Sequence, residues 1–266
     1  MVELIASVKV LEVDFESGRE KKLEEDVAVE EPLFVYVNGR HLVTLLSSPS
    51  MKKELALGHL ITEGLVDSLE AVKGVHVKGL KVSIELAKTL EYSHKTPEII
   101  APMVDTVGVV SQSFLKALEN IREKLVVTKA RLDISKIYDM ACEFEEKSIV
   151  HKKTRGTHSA AIFKFNGELV SFAEDVGRHN AVDKVVGDAL LKKANISESV
   201  LFSSGRQSAY MVLKAARAHI PIVVSIAHPL ESGIKVAEKV GITLAQISGK
   251  NIRVYTHFER VKLKDF

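Results

Sequence analysis

Residues 174–187 read Glu-Asp-Val-Gly-Arg-His-Asn-Ala-Val-Asp-Lys-Val-Val-Gly, the stretch of this chain richest in side chains that could do chemistry. Val182, Val185, Val186, Ala189 and Leu190 recur at helical spacing, so an amphipathic helix starts at about Arg178. Its first turn offers unpaired backbone N–H groups and the positive end of the helix dipole. Gly177 permits a sharp turn ahead of it, and Arg178 can grip an oxyanion through two N–H donors. The combination of Arg178, His179, Asn180 and Asp183 exceeds what a helix cap requires, and points to a site for phosphate or another anion.

A second turn of the same kind is Ser203-Ser204-Gly205-Arg206-Gln207-Ser208, and a third loop, Ser225-Ile226-Ala227-His228-Pro229, also precedes a helix. Two Gly-Arg turns at successive helix starts argue for phosphate binding more strongly than either alone. The competing reading makes Arg178 and Arg206 ion-pair partners of Glu174, Asp175 or Asp183. His179 stands four residues before Asp183, so a helix would let the acid orient the imidazole. His158 follows the basic run Lys152-Lys153-Thr154-Arg155. Both histidines fit ligand contact and structural roles alike. The basic run reads as a solvated face, or as a receiver for an acidic partner or a second phosphate. Cys142 could act as a nucleophile, but it falls on the stripe Ile134, Ile137, Tyr138, Ala141, Cys142, where a cysteine packs as a small hydrophobe.

These loops must be carried by strands and helices. In the second half, Ala160–Phe165 and Leu169–Phe172 flank Asn166-Gly167, a hairpin signal. Three strand–helix units follow: 171–176 into 178–192, 200–202 into 206–219, and 222–226 into 230–241. A last strand spans 252–258. Such alternation predicts a largely parallel sheet with ligands beyond the carboxyl ends of its strands. The first half predicts strands at 8–13, 33–37 and 41–46, the middle two joined through Asn38-Gly39. A helix capped by Ser50 runs to about Thr62 with Glu54 in its early turns, and a strand pair spans 75–86. An exposed connection is expected over 88–105 and a helix over 111–126. The expected division is a smaller α+β part, 1–125, and a second domain, 126–266.

Composition narrows the function. The chain has 266 residues, 46% hydrophobic and 27% charged, with a formal charge of +2. No general basic field favours nucleic acid. A single cysteine excludes an intrachain disulfide and fits a reducing cytoplasm. The start of the chain lacks a signal-peptide pattern, and no apolar run nears the roughly 18–20 residues of a membrane span. A cytoplasmic protein with no membrane partner is expected. His-Glu-x-x-His, paired cysteines and Gly-x-Ser-x-Gly are all absent, which argues against a metal centre and a serine hydrolase.

EDVGRHNAVDKVVG, TRGTHSAAIF and SSGRQS resemble the FdhD family of formate dehydrogenase accessory proteins. VEEPLFVYVNGR, ELALGHLITEGLV, HIPIVVS and YTHFERV extend the resemblance over most of the chain. It implies an α/β (α+β overall) fold, with a cytidine-deaminase-like three-layer core and mixed sheet behind a β-rich N-terminal domain. In deaminases two helix starts hold zinc; here 177–180 and 204–206 fill those places, so no zinc is expected. The resemblance also implies sulfur delivery from a cysteine desulfurase to the guanine-dinucleotide molybdenum cofactor of apo-formate dehydrogenase, by a homodimer. GDP would mimic the cofactor. The implied cofactor residues are His158, Gly177, Arg178, His179, Asn180, Asp183, Ser204, Gly205 and Arg206, with a loop Gln246, Ile247, Ser248, Gly249, Lys250 and Asn251. The family's Cys-x-x-Cys-Gly loop is matched by Val104-Asp105-Thr106-Val107-Gly108, and valine cannot form a persulfide. The alternative is therefore a non-catalytic guanine-nucleotide-binding regulator that has lost sulfur transfer.

Overall fold

The computed structural model describes residues 3–87, 126–128 and 131–262. The expected connection over 88–105, the Val104–Gly108 match and the helix over 111–126, save Val126, lie outside the described residues.

An antiparallel ribbon of β1 (Ile5–Val13) and β2 (Glu20–Ala28) begins the fold. A four-stranded sheet follows, in the order β4-β3-β6-β5, from β3 (Glu31–Val37), β4 (Arg40–Ser47), β5 (Val72–Lys78) and β6 (Lys81–Leu86). The β3–β4 turn is Asn38-Gly39 as expected, both residues at positive φ (46° and 79°), which matches the twist of the flanking strands.

The second sheet has six strands in the order β13-β12-β11-β10-β8-β9. They are β8 (His158–Lys164), β9 (Leu169–Asp175), β10 (Ser199–Ser203), β11 (Ile222–Ser225), β12 (Thr243–Ser248) and β13 (Asn251–Val254). β10, β11 and β12 are parallel, and β8 runs antiparallel to both its neighbours. β7 (Leu132–Asp133) pairs in parallel with β14 (Val261–Lys262).

Helices cover both faces of the large sheet, so its central strands are apolar throughout rather than alternating. On one face Ile162, Leu201, Val223 and Leu244 pack with α1 (Lys52–Thr62), α4 (Arg178–Leu191), α5 (Ala209–Arg217) and α6 (Glu231–Val240). This buried cluster continues through Leu55 and Leu60 to Leu33, Val35 and Ile84 of the smaller sheet. On the other face Phe163, Phe202, Val224 and Ile247 pack with α2 (Ile134–Lys147), where Phe144 meets Phe172 and Phe202 at centroid distances of 5.9 and 5.8 Å. A short α3 (Ile149–Thr154) follows α2. The fold is thus mixed α+β. Among the described residues no helix is long and apolar enough to cross a membrane.

α1 and α4 cross with their backbones nearly touching. A Cβ on Gly58 would lie 1.8 Å from the Asp183 carbonyl oxygen, and one on Gly187 2.0 Å from that of Glu54. Only glycine admits that approach.

Several local expectations need correction. Ser50 does not cap α1; the N-cap is Met51 at φ 55°, with no side-chain bond. The second Gly-Arg helix starts at Ala209 rather than residue 206, because Ser208 is still extended. The strand expected over 252–258 is present as β13 but ends at Val254, and an unexpected strand, β12, precedes it through a hairpin turn that includes Gly249 at φ 56°. Gln246–Asn251 is therefore no loop; it is the end of β12, a turn and the start of β13. The buried stripe of α2 is Ile137, Met140, Ala141 and Phe144, which turns Tyr138 and Cys142 to solvent.

Candidate functional site

β9, β10, β11 and β12 end at one edge of the large sheet, and the loops after them lie side by side there. The first loop is shaped by Asp175, the last residue of β9. One carboxylate oxygen accepts from Gly177 N–H at 2.9 Å and Asn180 Nδ2 at 3.0 Å. The other accepts from Ser48 N–H at 3.1 Å and pairs with Lys184 Nζ at 2.6 Å, both side chains fully buried. Burial pushes Asp175 up and Lys184 down, each toward its neutral form, and their contact opposes that. Lys184 also donates to Ser48 O at 3.0 Å, Asn180 to Leu46 O at 2.7 Å, and Val176 N–H to Ser48 Oγ at 3.2 Å. The turn is thereby strapped to the end of β4. A Cβ on Gly177 would come within 2.9 Å of Asn180 Nδ2, so a larger residue there must displace the Asn180 amide from Asp175 and Leu46.

The two Gly-Arg turns meet. A Cβ on Gly205 would lie 2.9 Å from both Cβ and Cδ of Arg178, so the arginine stem rests on the second loop. That loop is held from beneath by Gln207 Nε2 and Ser225 Oγ, which donate to Gly205 O at 2.8 and 2.9 Å. Ser204 Oγ accepts from Ser159 N–H at 2.9 Å and lies 3.3 Å from His158 Nδ1. His158 is pulled down mainly by burial, then by the nearby charges of Arg178, His151 and His179. His179 tilts against Tyr210, ring centroids 5.5 Å apart, and Arg206 is exposed. The N-caps of α4, α5 and α6 are Gly177, Ser208 and Leu230, and none makes a side-chain capping bond. Their first-turn N–H groups and dipoles therefore face the same edge as Arg178 and Arg206.

Asp183 does not partner His179 in the expected way. It points inward, 1% exposed, and accepts from Thr62 Oγ1 at 2.6 Å and Lys214 Nζ at 2.8 and 2.9 Å, with His59 Nδ1 at 3.2 Å. Burial alone would raise Asp183, but Lys214 and His59 overcome it and hold the carboxyl at about 2. Lys214 also donates to Glu63 at 2.6 Å, and Tyr210 OH bonds Glu63. The ligand atoms of His59, Glu63 and Asp183 fall within 4.8 Å of one another, a metal-like grouping in which the Lys214 ammonium already supplies the positive charge. The three acids weighed as arginine partners are all engaged elsewhere: Glu174 accepts from Val150 and His151 N–H at 2.9 and 2.7 Å, at the start of α3.

The third element of the expected site is split. Gln246 is buried, donates to Ile226 O at 3.1 Å and accepts from Arg253 at 3.0 Å. Ile247 packs in the sheet's other face, while Ser248, Gly249, Lys250 and Asn251 are exposed at the same edge. Cys142 lies on α2, across the sheet from α4 and α5. Sequence reasoning missed Ser48, Lys184, Tyr210, Lys214 and Arg253. Lys184 and Lys214 carried a usable signal, each standing within a helix's apolar stretch.

Known proteins match this chain over nearly its whole length. A protein named sulfur carrier protein FdhD from Sulfolobus acidocaldarius is 34% identical over 264 residues, covering 97% of this chain and 99% of its own. Its namesake from Shouchella clausii is 30% identical over 254 residues, 94% and 95%. The crystal structure of a Desulfotalea psychrophila protein described as a formate dehydrogenase accessory protein aligns with a TM-score of 0.80 at 27% identity, covering 98% of this chain and all of that one. The FdhD/NarQ family matches residues 28–262, and the chain belongs to that family.

Proposed function

We propose that this protein is a formate dehydrogenase accessory protein of sulfur-carrier type that holds a guanine-dinucleotide molybdenum cofactor at the carboxyl edge of its large sheet. One observation carries the reading: Arg178 rests on Gly205, which joins two Gly-Arg turns beside three helix starts without side-chain caps. Two arginines and aligned backbone N–H groups suit a diphosphate. At Gly177 and Gly205 the missing side chain lets Asn180 and the stem of Arg178 lie directly against the two turns, which keeps Arg178 at the edge of the cradle. His158, His179 and Ser204 flank the cradle, while Asn180 and Asp183 shape it from within. Ser248, Gly249, Lys250 and Asn251 border it after β12. The bound cofactor supplies the molybdenum centre destined for the client enzyme; this chain's residues grip its phosphates and orient it.

The sheet order, with β8 antiparallel between β9 and β10, supports a cytidine-deaminase-like core for the part after residue 125. The partners in this reading are the formate dehydrogenase apoprotein, a cysteine desulfurase and a second copy of the chain, in the cytoplasm.

One feature favours the narrower alternative of a guanine-nucleotide-binding regulator. Val104 and Val107 stand where the family's cysteines would, and Cys142 lies on the opposite face of the sheet. Incubation with a desulfurase and cysteine, followed by mass analysis, separates the two. A persulfide on Cys142 that passes to the cofactor supports sulfur transfer, and its absence with intact nucleotide binding supports the regulator. The accessory role itself is tested by adding the protein to cofactor-free formate dehydrogenase and reading complex formation and formate oxidation. If neither appears, the role is wrong.

A further inference from the structure

At the carboxyl edge the strand register lines up Ser203 of β10, Ser225 of β11, Gln246 of β12 and Arg253 of β13 in one row. Paired residues on neighbouring strands share a face, and Gln246 stands two residues from Leu244. The row therefore lies on the face that α4, α5 and α6 cover. Its first three members are buried, and each holds a loop. Ser203 Oγ accepts from Gly205 N–H at 3.1 Å, and Ser225 Oγ donates to Gly205 O at 2.9 Å. Gln246 Nε2 donates to Ile226 O and to Ile247 O, both at 3.1 Å. Two carbonyl acceptors fix that amide, and its Oε1 accepts from Arg253 Nη1 at 3.0 Å.

Arg253 is the exposed end of the row. On a solvated edge strand an arginine is free to point anywhere. Here a buried glutamine draws the guanidinium back over β12, beside the loop that follows β11. Among the described residues no carboxylate pairs with it. Glu231, in the first turn of α6, is taken by Lys235 at 2.7 Å.

Neighbouring strands lie about 4.8 Å apart, so a guanidinium over β12 stands about 10 Å from the Gly205 turn that follows β10. That is farther than a diphosphate seated against Arg178 and Gly205 extends, and within reach of the base it carries. The third loop lies between them. Its Ala227, Pro229 and Leu230 offer carbon to a ligand that crosses it, with His228 exposed beside them. An arginine has donors only. Guanine presents two acceptors, O6 and N7, on one edge, whereas adenine sets an amino donor beside its N7. A guanidinium fork fits the first base and is opposed by the second.

We propose that Arg253, positioned by Gln246, reads the base of the bound nucleotide and selects guanine over adenine. The assignment rests on the nucleotide pocket argued above, in which Arg178 grips phosphate and Arg253 determines specificity.

Calorimetric titration of the full chain with GDP, ADP and inorganic pyrophosphate provides the test. Wild type binds GDP at least about tenfold more tightly than ADP. Arg253→Met loses about tenfold for GDP and nothing for ADP or pyrophosphate, so the preference disappears. Arg253→Lys keeps the charge without the fork and does not restore it. Gln246→Met, which releases the guanidinium, shows the same split between GDP and pyrophosphate. Circular dichroism checks that each variant is folded. Arg253→Met that still prefers GDP, or that weakens GDP, ADP and pyrophosphate alike, overturns the assignment while the pocket stands. A preference untouched in Gln246→Met overturns its positioning role. A wild type that binds neither nucleotide overturns the pocket and the assignment with it.

Discussion

The side-chain stem of Arg178 rests on Gly205, so close that a Cβ there would stand 2.9 Å from Arg178 Cβ and Cδ. Two loops separated by a helix and a strand are therefore one structure. Gly205→Ala must push Arg178 aside. Overpacking of this kind costs about 1–3 kcal/mol. The expected result is GDP affinity reduced by about tenfold or more with the fold retained, read by calorimetry and circular dichroism. Unchanged affinity would show that Arg178 does not work from that position.

Gly58 and Gly187 set the spacing of α1 against α4. Helix propensity alone makes Gly58→Ala stabilising by up to about 1 kcal/mol. The 1.8 Å approach to the Asp183 carbonyl reverses the sign, since backbone cannot yield as a side chain does. We expect a net loss of about 3 kcal/mol or more and a thermal midpoint lower by roughly 5–10 °C. A higher midpoint would contradict the crossing geometry.

Lys214 offsets two buried carboxylates. Lys214→Met leaves Asp183 and Glu63 facing each other and costs about 3–5 kcal/mol at neutral pH. The pH dependence follows in sign. Asp183 sits at about 2, below its ordinary 3.8, so its pairing contributes stability above pH 4 and loses it as pH falls toward 2. In the variant the carboxyls lose their main compensating charge and gain from protonation. The gap between wild type and variant in urea denaturation should narrow on acidification. A gap that widens would refute the assignment.

Cys142 faces solvent, contrary to its place in the sequence-level stripe. The native protein should therefore release one equivalent of thiol to a disulfide reagent without denaturant, at a rate close to that of the unfolded chain. Cys142→Ala should leave GDP affinity and the thermal midpoint within error of wild type. A thiol that reacts only after unfolding would show the stripe reading to be right.

Much of this was legible in the residues. Asn38-Gly39 and Asn166-Gly167 announced their hairpins, and the valine stripe of α4 placed Arg178 at a helix start. The failures have physical causes. β12 is a continuous buried run without alternation, so nothing distinguished it from the flank of a helix. β2 is a charged ribbon strand with no core face to leave a pattern. Cys142 is one residue beyond Ala141, and helical spacing assigns the core to Met140, Ala141 and Phe144 instead. The Asp183–Lys214–Glu63 cluster joins three helices distant in sequence, and no local pattern reports such a contact. Single-sequence periodicity finds faces; it does not find which faces meet.

Calorimetric titration with GDP and with ADP, on wild type, Arg178→Ala and Arg206→Ala, decides whether the two Gly-Arg turns hold a guanine nucleotide. The expected result is binding of GDP in preference to ADP, weakened by about tenfold or more in each variant, with raised thermal stability only where GDP binds. Absence of guanine-nucleotide binding, or binding that neither substitution alters, would contradict it.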